Sequence, residues 1–146
     1  MRPDSPHGFS LLETMIVVAI VAVLATIAIP SYADYIRRAR ILEAVARLSD
    51  ARAHMEEFFL DQRSYVDAAG SCGAPAPAAA AADAFALACT ATTTHFVYTA
   101  TGAAAKGMDA FSFSIDETGA KGTLSVPRNW SRTADCWTVR ADGSCA

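Results

Sequence analysis

The apolar and polar positions of this chain change pattern twice. From Thr14 to Ala33 nothing is charged. At 1.5 Å per helical residue that run matches a hydrocarbon core of roughly 30 Å. The sequence predicts a helix from Phe9 to Ile29 with no polar face, suited to lipid or to a fully apolar helix bundle. Pro30 lacks an N–H and opposes the carbonyl of Thr26, so the helix is expected to bend there. Beyond it, Ile41, Val45, Leu48, Met55 and Phe59 recur at helical spacing, joined by Leu42, Ala46 and Ala53. Arg40, Glu43, Arg47 and Asp50 fall elsewhere, and Glu43 and Arg47 have the favourable i, i+4 order. This predicts one amphipathic helix to about Leu60, its stripe buried on a sheet and Met55 and Phe59 serving as ordinary core.

The helical period then stops. Asp67 to Ala82 is rich in Ala, Pro and Gly and reads as a loop, with a short helical turn at Ala78 to Ala82. Alternation follows. Phe85, Leu87 and Cys89 form one set, Phe96 and Tyr98 a second, and Phe111, Phe113 and Ile115 a third. Glu117-Thr118-Gly119 reads as a turn that returns the chain through Lys121 to Val126. These predict a three- to four-stranded antiparallel meander whose apolar face meets the helix stripe. Pro127 to Ala134 is irregular, and Cys136-Trp137 to Cys145 closes as a terminal loop or small hairpin. The fold class is α+β.

Composition narrows the function classes. About 110 residues follow Ala33, enough for one small domain with a marginal core. The net charge is −3 and stays −3 without residues 1–8, since Arg2 and Asp4 cancel. That is no nucleic-acid footprint; Arg128, Arg132 and Arg140 read as a solvated surface near the tail rather than a DNA site. Four cysteines, Cys72, Cys89, Cys136 and Cys145, form an even set with no metal-ligand spacing, so they read as two disulfides of an exported domain. Three pairings exist; Cys72–Cys89 and Cys136–Cys145 close the shortest loops. His7 lies near the start, His54 on the helix and His95 at a strand start, and no nucleophile motif, calcium loop or cofactor site accompanies them. Asn129-Trp130-Ser131 matches a glycosylation acceptor, a match common by chance.

Glu13 is the polar exception at the head of the apolar run. A carboxylate at membrane depth costs on the order of 2–3 kcal/mol, so it marks a function and calls for a partner. Gly8-Phe9-Ser10-Leu11-Leu12-Glu13-Thr14-Met15 followed by an apolar helix resembles the class III signal of type IV pilins and pseudopilins. The resemblance implies cleavage between Gly8 and Phe9 by a prepilin peptidase, methylation of Phe9, and an assembly role for Glu13 as the fifth mature residue. Pro30 and Ser31-Tyr32 resemble what pilins carry in mid-helix, and Asp135-Cys136-Trp137 resembles certain minor pilins of type IVa systems. Common pilins keep one cysteine of the final pair on a sheet strand, whereas the predicted strands between Phe111 and Val126 hold none.

The resemblance divides the chain into a leader, 1–8; a membrane and filament-core half-helix, 9–33; and an amphipathic half-helix with the pilin head, 34–146. It implies a structural subunit, a minor pilin, with the type IV pilin fold. Its expected partners are other pilin subunits, the prepilin peptidase, and the assembly platform with its ATPase motors. It would reside in the bacterial inner membrane with its C-terminal domain periplasmic, then in the filament. Arg37, Arg38 and Arg40 oppose that orientation under the positive-inside rule; the cysteines and the resemblance support it. Twitching, adhesion or DNA uptake would follow from the family, not from any residue here. The same N-terminal residues would serve a pseudopilin of a type II secretion system. In another class, an exported enzyme or binding domain with a conventional signal would be cut after Ser31-Tyr32-Ala33 and would leave Glu13 unexplained.

Overall fold

The computed structural model describes residues 10–146. Helix α1 runs Leu11–Gln62, followed by strands β1 (Phe85–Ala91), β2 (Phe96–Gly102), β3 (Ser112–Asp116) and β4 (Lys121–Ser125), with a 3₁₀ turn Ala104–Lys106 between β2 and β3. The chain divides into two units, one ending at Ile36 and one beginning at Arg37. In the first, α1 continues through Pro30 without a break. In the second lie the rest of α1, the sheet and the loops. This is the α+β architecture expected from the sequence.

The sheet is an antiparallel meander in chain order, β1-β2-β3-β4. Register puts Cys89 opposite Tyr98, Tyr98 opposite Ile115, and Ala100 opposite Phe113. One sheet face therefore presents Phe96, Tyr98, Ala100, Phe113 and Ile115, all buried, and it shares one core with Ile41, Ala44, Val45, Leu48, Ala51 and Met55 of α1. The helix stripe corrects the sequence expectation. Leu42, Ala46 and Ala53 are exposed, while Ala44 and Ala51 are buried. A 3.6-residue period anchored on Ile41 returns at 44, 45, 48 and 51, and alanines on that line let the helix approach the sheet closely. Glu43 is also not the partner that orients Arg47: its guanidinium lies 3.0 Å from Asp83 and donates to the Phe85 carbonyl. The link runs from helix to sheet rather than along the helix.

The loop after α1 is tied at several points. Cys72 is bonded to Cys89 of β1, and Tyr65 stacks on Phe59 and meets Phe96 edge-on. The Tyr98 hydroxyl donates to the Ala74 carbonyl; burial pushes that phenol up to about 12. Gly73 has no room for a side chain, because an added Cβ would fall 2.0 Å from the Phe58 ring. The expected helical turn at Ala78 to Ala82 does not form. Instead a turn spans Ala80 to Asp83, where Asp83 Oδ2 accepts from Ala80 N and Asp83 N donates to Ala80 O. Asp83 supplies a competing acceptor for the backbone N–H, which favours a turn over a helix.

The C-terminal segment docks on the outer side of β4. Thr123 N donates to Ala134 O, and Thr138 N donates to Thr123 Oγ1 at 2.9 Å. Among the described residues Thr123 and Thr138 are buried polar side chains, and both hydroxyls are bonded. Trp137 is buried, and its Nε1 donates to the Ser114 carbonyl on β3 at 2.8 Å. The last residues form a small hairpin: Val139 N donates to Ser144 O, Ala146 N donates to Trp137 O, and Cys136 is bonded to Cys145. Trp137→Phe keeps most of the buried ring but removes the indole donor to the Ser114 carbonyl. It should lower stability by about 1–2 kcal/mol in guanidinium unfolding of the disulfide-intact chain. An unchanged midpoint would show that the indole N–H contributes nothing.

Candidate functional site

Two features stand out: the apolar start of α1 and the polar turns of the head. Ser10 precedes the first helical residue, and its Oγ accepts from Glu13 N at 3.2 Å. It caps the helix. The expectation for this stretch singles out Glu13 and omits Ser10, although Ser10-x-x-Glu13 has capping-box spacing. Glu13 stands in the first turn, where the partial positive charge of the helix end favours a carboxylate. Gly8 and Phe9, the expected cleavage junction, lie outside the described residues.

From Leu11 to Tyr35 the apolar side chains are exposed all round the helix; Ile16, Val17 and Val18, three successive positions pointing in different directions, are each at least half exposed. By length and composition this helix is apolar enough to cross a membrane, and its apolar stretch is unburied. Such a surface in water would be strongly unfavourable, so this segment requires lipid or other apolar helices. Thr26 softens the polarity cost by donating its hydroxyl to Val23 O at 2.7 Å. Pro30 sits one turn later inside the helix.

In the head, polar groups gather at the β3–β4 turn. Arg52 of α1 donates from Nε to Asp116 O and from its terminal nitrogen to Glu117 O. Asp116 Oδ1 accepts from Thr118 N, Thr118 Oγ1 and Ala120 N, all within 3.0 Å. Glu117 Oε1 lies 2.6 Å from His95 Nδ1, and its other oxygen accepts from Phe96 N. For Asp116, desolvation raises the carboxyl, but the Thr118 and Ala120 bonds and then Arg52 outweigh it and leave it below the usual range. Glu117 is held low chiefly by the His95 hydrogen bond, against a smaller desolvation. Near the tail, the Ser144 hydroxyl and N–H hold Asp142 low. Arg128, Arg132 and Arg140 are exposed, Arg132 donating to Thr123 O. Lys121 Nζ sits 4.6 Å from the Trp137 ring centroid.

None of this assembles reaction chemistry. His54 is exposed between Asp50 and Glu57 on the helix surface, and His95 is engaged at the turn. All four cysteines are bridged, and no group of three metal-ligating side chains occurs among the described residues. The arrangement supports surfaces and a packing segment. Arg52 at the turn and the Thr123–Thr138 pair carry no sequence signal, since each depends on a partner 15 to 65 residues away.

Comparison with known proteins gives consistent matches. A family model described as type IV minor pilin ComP, DNA uptake sequence receptor, matches residues 30–113. One described as a prokaryotic N-terminal methylation motif matches residues 5–29. The chain is 38% identical over 66 residues to the type IV major pilin protein PilE1 of Neisseria gonorrhoeae, covering 45% of this chain and 40% of that protein. It is 44% identical over 62 residues to a fimbrial protein of Pseudomonas aeruginosa, covering 42% of this chain and 40% of that one. The matched segment thus spans about two-fifths of these curated relatives. A crystal structure of the Neisseria meningitidis non-core minor pilin PilV superposes with a TM-score of 0.52 at 13% identity, covering 65% of this chain and 93% of that one; this likeness is one of fold.

The turn electrostatics make a pH prediction. Both Asp116 and Glu117 are depressed in the folded head, so their stabilisation is complete above the ordinary carboxylate range, about pH 4 to 5. It is lost as pH falls through their lowered values. Asp116→Asn should cost on the order of 1–2 kcal/mol near neutrality and should flatten the acid limb of stability in denaturant unfolding followed from pH 7 to pH 3. An acid limb as steep as in the parent chain would show that this turn does not govern it.

Proposed function

We propose that this chain, which belongs to the type IV minor pilin ComP family, is a structural subunit of a type IV pilus whose function is assembly rather than catalysis. The observation that carries the proposal is the uncharged helical run from Thr14 to Ala33, its apolar side chains exposed all round, capped by Ser10 and headed by Glu13. A helix apolar on every side serves in two settings, a bilayer and a bundle of like helices. The subunit first resides in the inner membrane with its head on the periplasmic side, where both disulfides form. It then leaves the membrane for the filament, where other subunits replace lipid around the same surface. The prepilin peptidase cuts at Gly8/Phe9 and methylates Phe9, and an assembly platform with ATPase motors drives extraction. An intact mass beginning at methylated Phe9 supports this reading; a start at Asp34 would point to a conventional signal and overturn it. Genes beside the locus separate a pilus from a type II secretion system.

Glu13 supplies the assembly step. Cleavage gives Phe9 a positive amine at the head of an apolar helix. In a filament core, both that amine and the Glu13 carboxylate are poorly solvated, and pairing offsets much of the cost of each. Glu13 lies four residues after Phe9, so the pair can form within one helix or with the amine of a neighbour, where it sets axial register.

A second reading comes from the name of the matched family, a DNA uptake sequence receptor. From Lys121 onward the chain has four cations against two acids, Asp135 and Asp142, although the whole is −3. Triple replacement of Arg128, Arg132 and Arg140 by Gln should weaken duplex binding and reduce its salt dependence; the same affinity in both proteins would dismiss DNA contact at the tail.

Glu13→Leu makes the anchor more apolar, so insertion and cleavage should persist while incorporation into pili falls sharply. Glu13→Asp should restore it only in part, because the shorter side chain misplaces the charge. The measure is the ratio of this subunit in sheared pili to that in membranes, in cells without the parental copy. Entry of Glu13→Leu into pili at the parental level would exclude the ion pair.

A further inference from the structure

The residues that follow the apolar run are not a simple charged stretch. Arg37, Arg38 and Arg40 come within seven positions of Ala33. On a helix of 3.6 residues per turn, they fan across the same side as Ile41, Ala44 and Leu48, which continue as the buried stripe. Burial reflects this: Ile36, Arg37, Arg38 and Arg40 are half-buried, whereas Ala39 is exposed. A second segment joins them. Arg40 donates to the Lys106 carbonyl at 2.7 Å, which brings the cationic 3₁₀ turn Ala104–Lys106 alongside the helix. Arg38 Nε is buried and has no hydrogen-bond partner. A buried guanidinium N–H without an acceptor is costly, and the charge of Arg38 has no hydrogen bond at that nitrogen to offset it. The acids nearest in sequence are Asp34, Glu43 and Asp109, three against four cations; Asp34 and Arg37 each make contacts of their own.

We propose that Arg38, Arg40 and Lys106, with Arg37 beside them, form a cationic collar that binds the phosphates of anionic phospholipid headgroups while the subunit is membrane-resident. The inference rests on the membrane stage of the function proposed above. Guanidinium groups suit phosphate because their planar donors bond two oxygens at once. Arginines directly after an apolar helix on the exported side run against the positive-inside tendency. Headgroup phosphates on that side supply counter-charge within a Debye length of the surface. On extraction into the filament, these lipid contacts must be exchanged for others, so the collar retains the subunit in the membrane until assembly.

The test uses the full mature chain in nanodiscs of mixed phosphatidylglycerol and phosphatidylethanolamine, with co-released lipid read by native mass spectrometry. The parental chain should retain phosphatidylglycerol in excess of its share. The triple variant Arg38→Gln, Arg40→Gln, Lys106→Gln should lose about a hundredfold in headgroup affinity, at roughly fivefold per cation, and with it the phosphatidylglycerol enrichment. Arg38→Lys and Arg40→Lys, which keep charge but not the planar fork, should retain part of it. Intact Cys72–Cys89 and Cys136–Cys145 links in each variant show that the head has folded. Insertion with equal retention of both lipids overturns the collar alone. Failure of the parental chain to enter the discs overturns the membrane stage and the collar with it. Displacement of the lipid by millimolar inorganic phosphate shows a free-anion site and overturns the lipid assignment. If the triple variant keeps its phosphatidylglycerol but fails to enter pili, the cluster serves a neighbouring subunit and the proposal falls.

Discussion

The head depends on the burial of one helix stripe against one face of a four-stranded sheet. Ile41, Ala44, Val45, Leu48, Ala51 and Met55 meet Phe85, Phe96, Tyr98, Ala100, Phe113 and Ile115 in a single core. A domain of this size buries a smaller share of its surface than a larger one and has little margin. The loops therefore contribute directly. Two disulfides restrict the unfolded chain around the segments that the sheet does not order. Arg47 and Arg52 reach from the helix to Asp83 and to the β3–β4 turn, so that polar contacts flank the apolar ones.

A small open sheet also has two edges to protect, since unpaired strand edges invite pairing with other chains. The β4 edge is covered by the C-terminal segment through Ala134, Thr138 and Trp137. Along β1, Cys72, Pro75 and Ala76 line one groove with Leu87, Cys89 and Ala91, and the Cys72–Cys89 bond fixes that loop in place. The two bridges thus sit at opposite ends of the strand order. Each secures an irregular segment that has no regular hydrogen-bonding pattern of its own.

The other half of α1 obeys a different solvent. Side chains from Leu11 to Tyr35 are exposed on every side, which in water is unfavourable and in lipid or a helix bundle is neutral. The one helix therefore joins a segment that must leave water to a segment that needs water on its outer face. Ser10 and Glu13 satisfy the start of that helix locally, and the arginines from Arg37 onward mark the change of surroundings.

Much of this was legible in the sequence because it rests on periodicity and local chemistry. The uncharged run, the helical spacing from Ile41 to Phe59, the alternation of Phe111, Phe113 and Ile115 and the even cysteine set each follow from residues close in the chain. They specified one long helix, an antiparallel meander and a disulfide-bonded tail, and the signal around Gly8 to Glu13 pointed to the pilin family. Where a position could lie on either flank of the stripe, local pattern was insufficient: Leu42 is the larger apolar residue, yet Ala44 is buried, because close approach to the sheet selects for a small side chain. The partner of Arg47, the Asp83 turn in place of a helical one, and the docking of Thr123 on Thr138 were decided only by tertiary structure. Each joins groups far apart in sequence, and no periodicity records which distant acceptor a buried donor will meet.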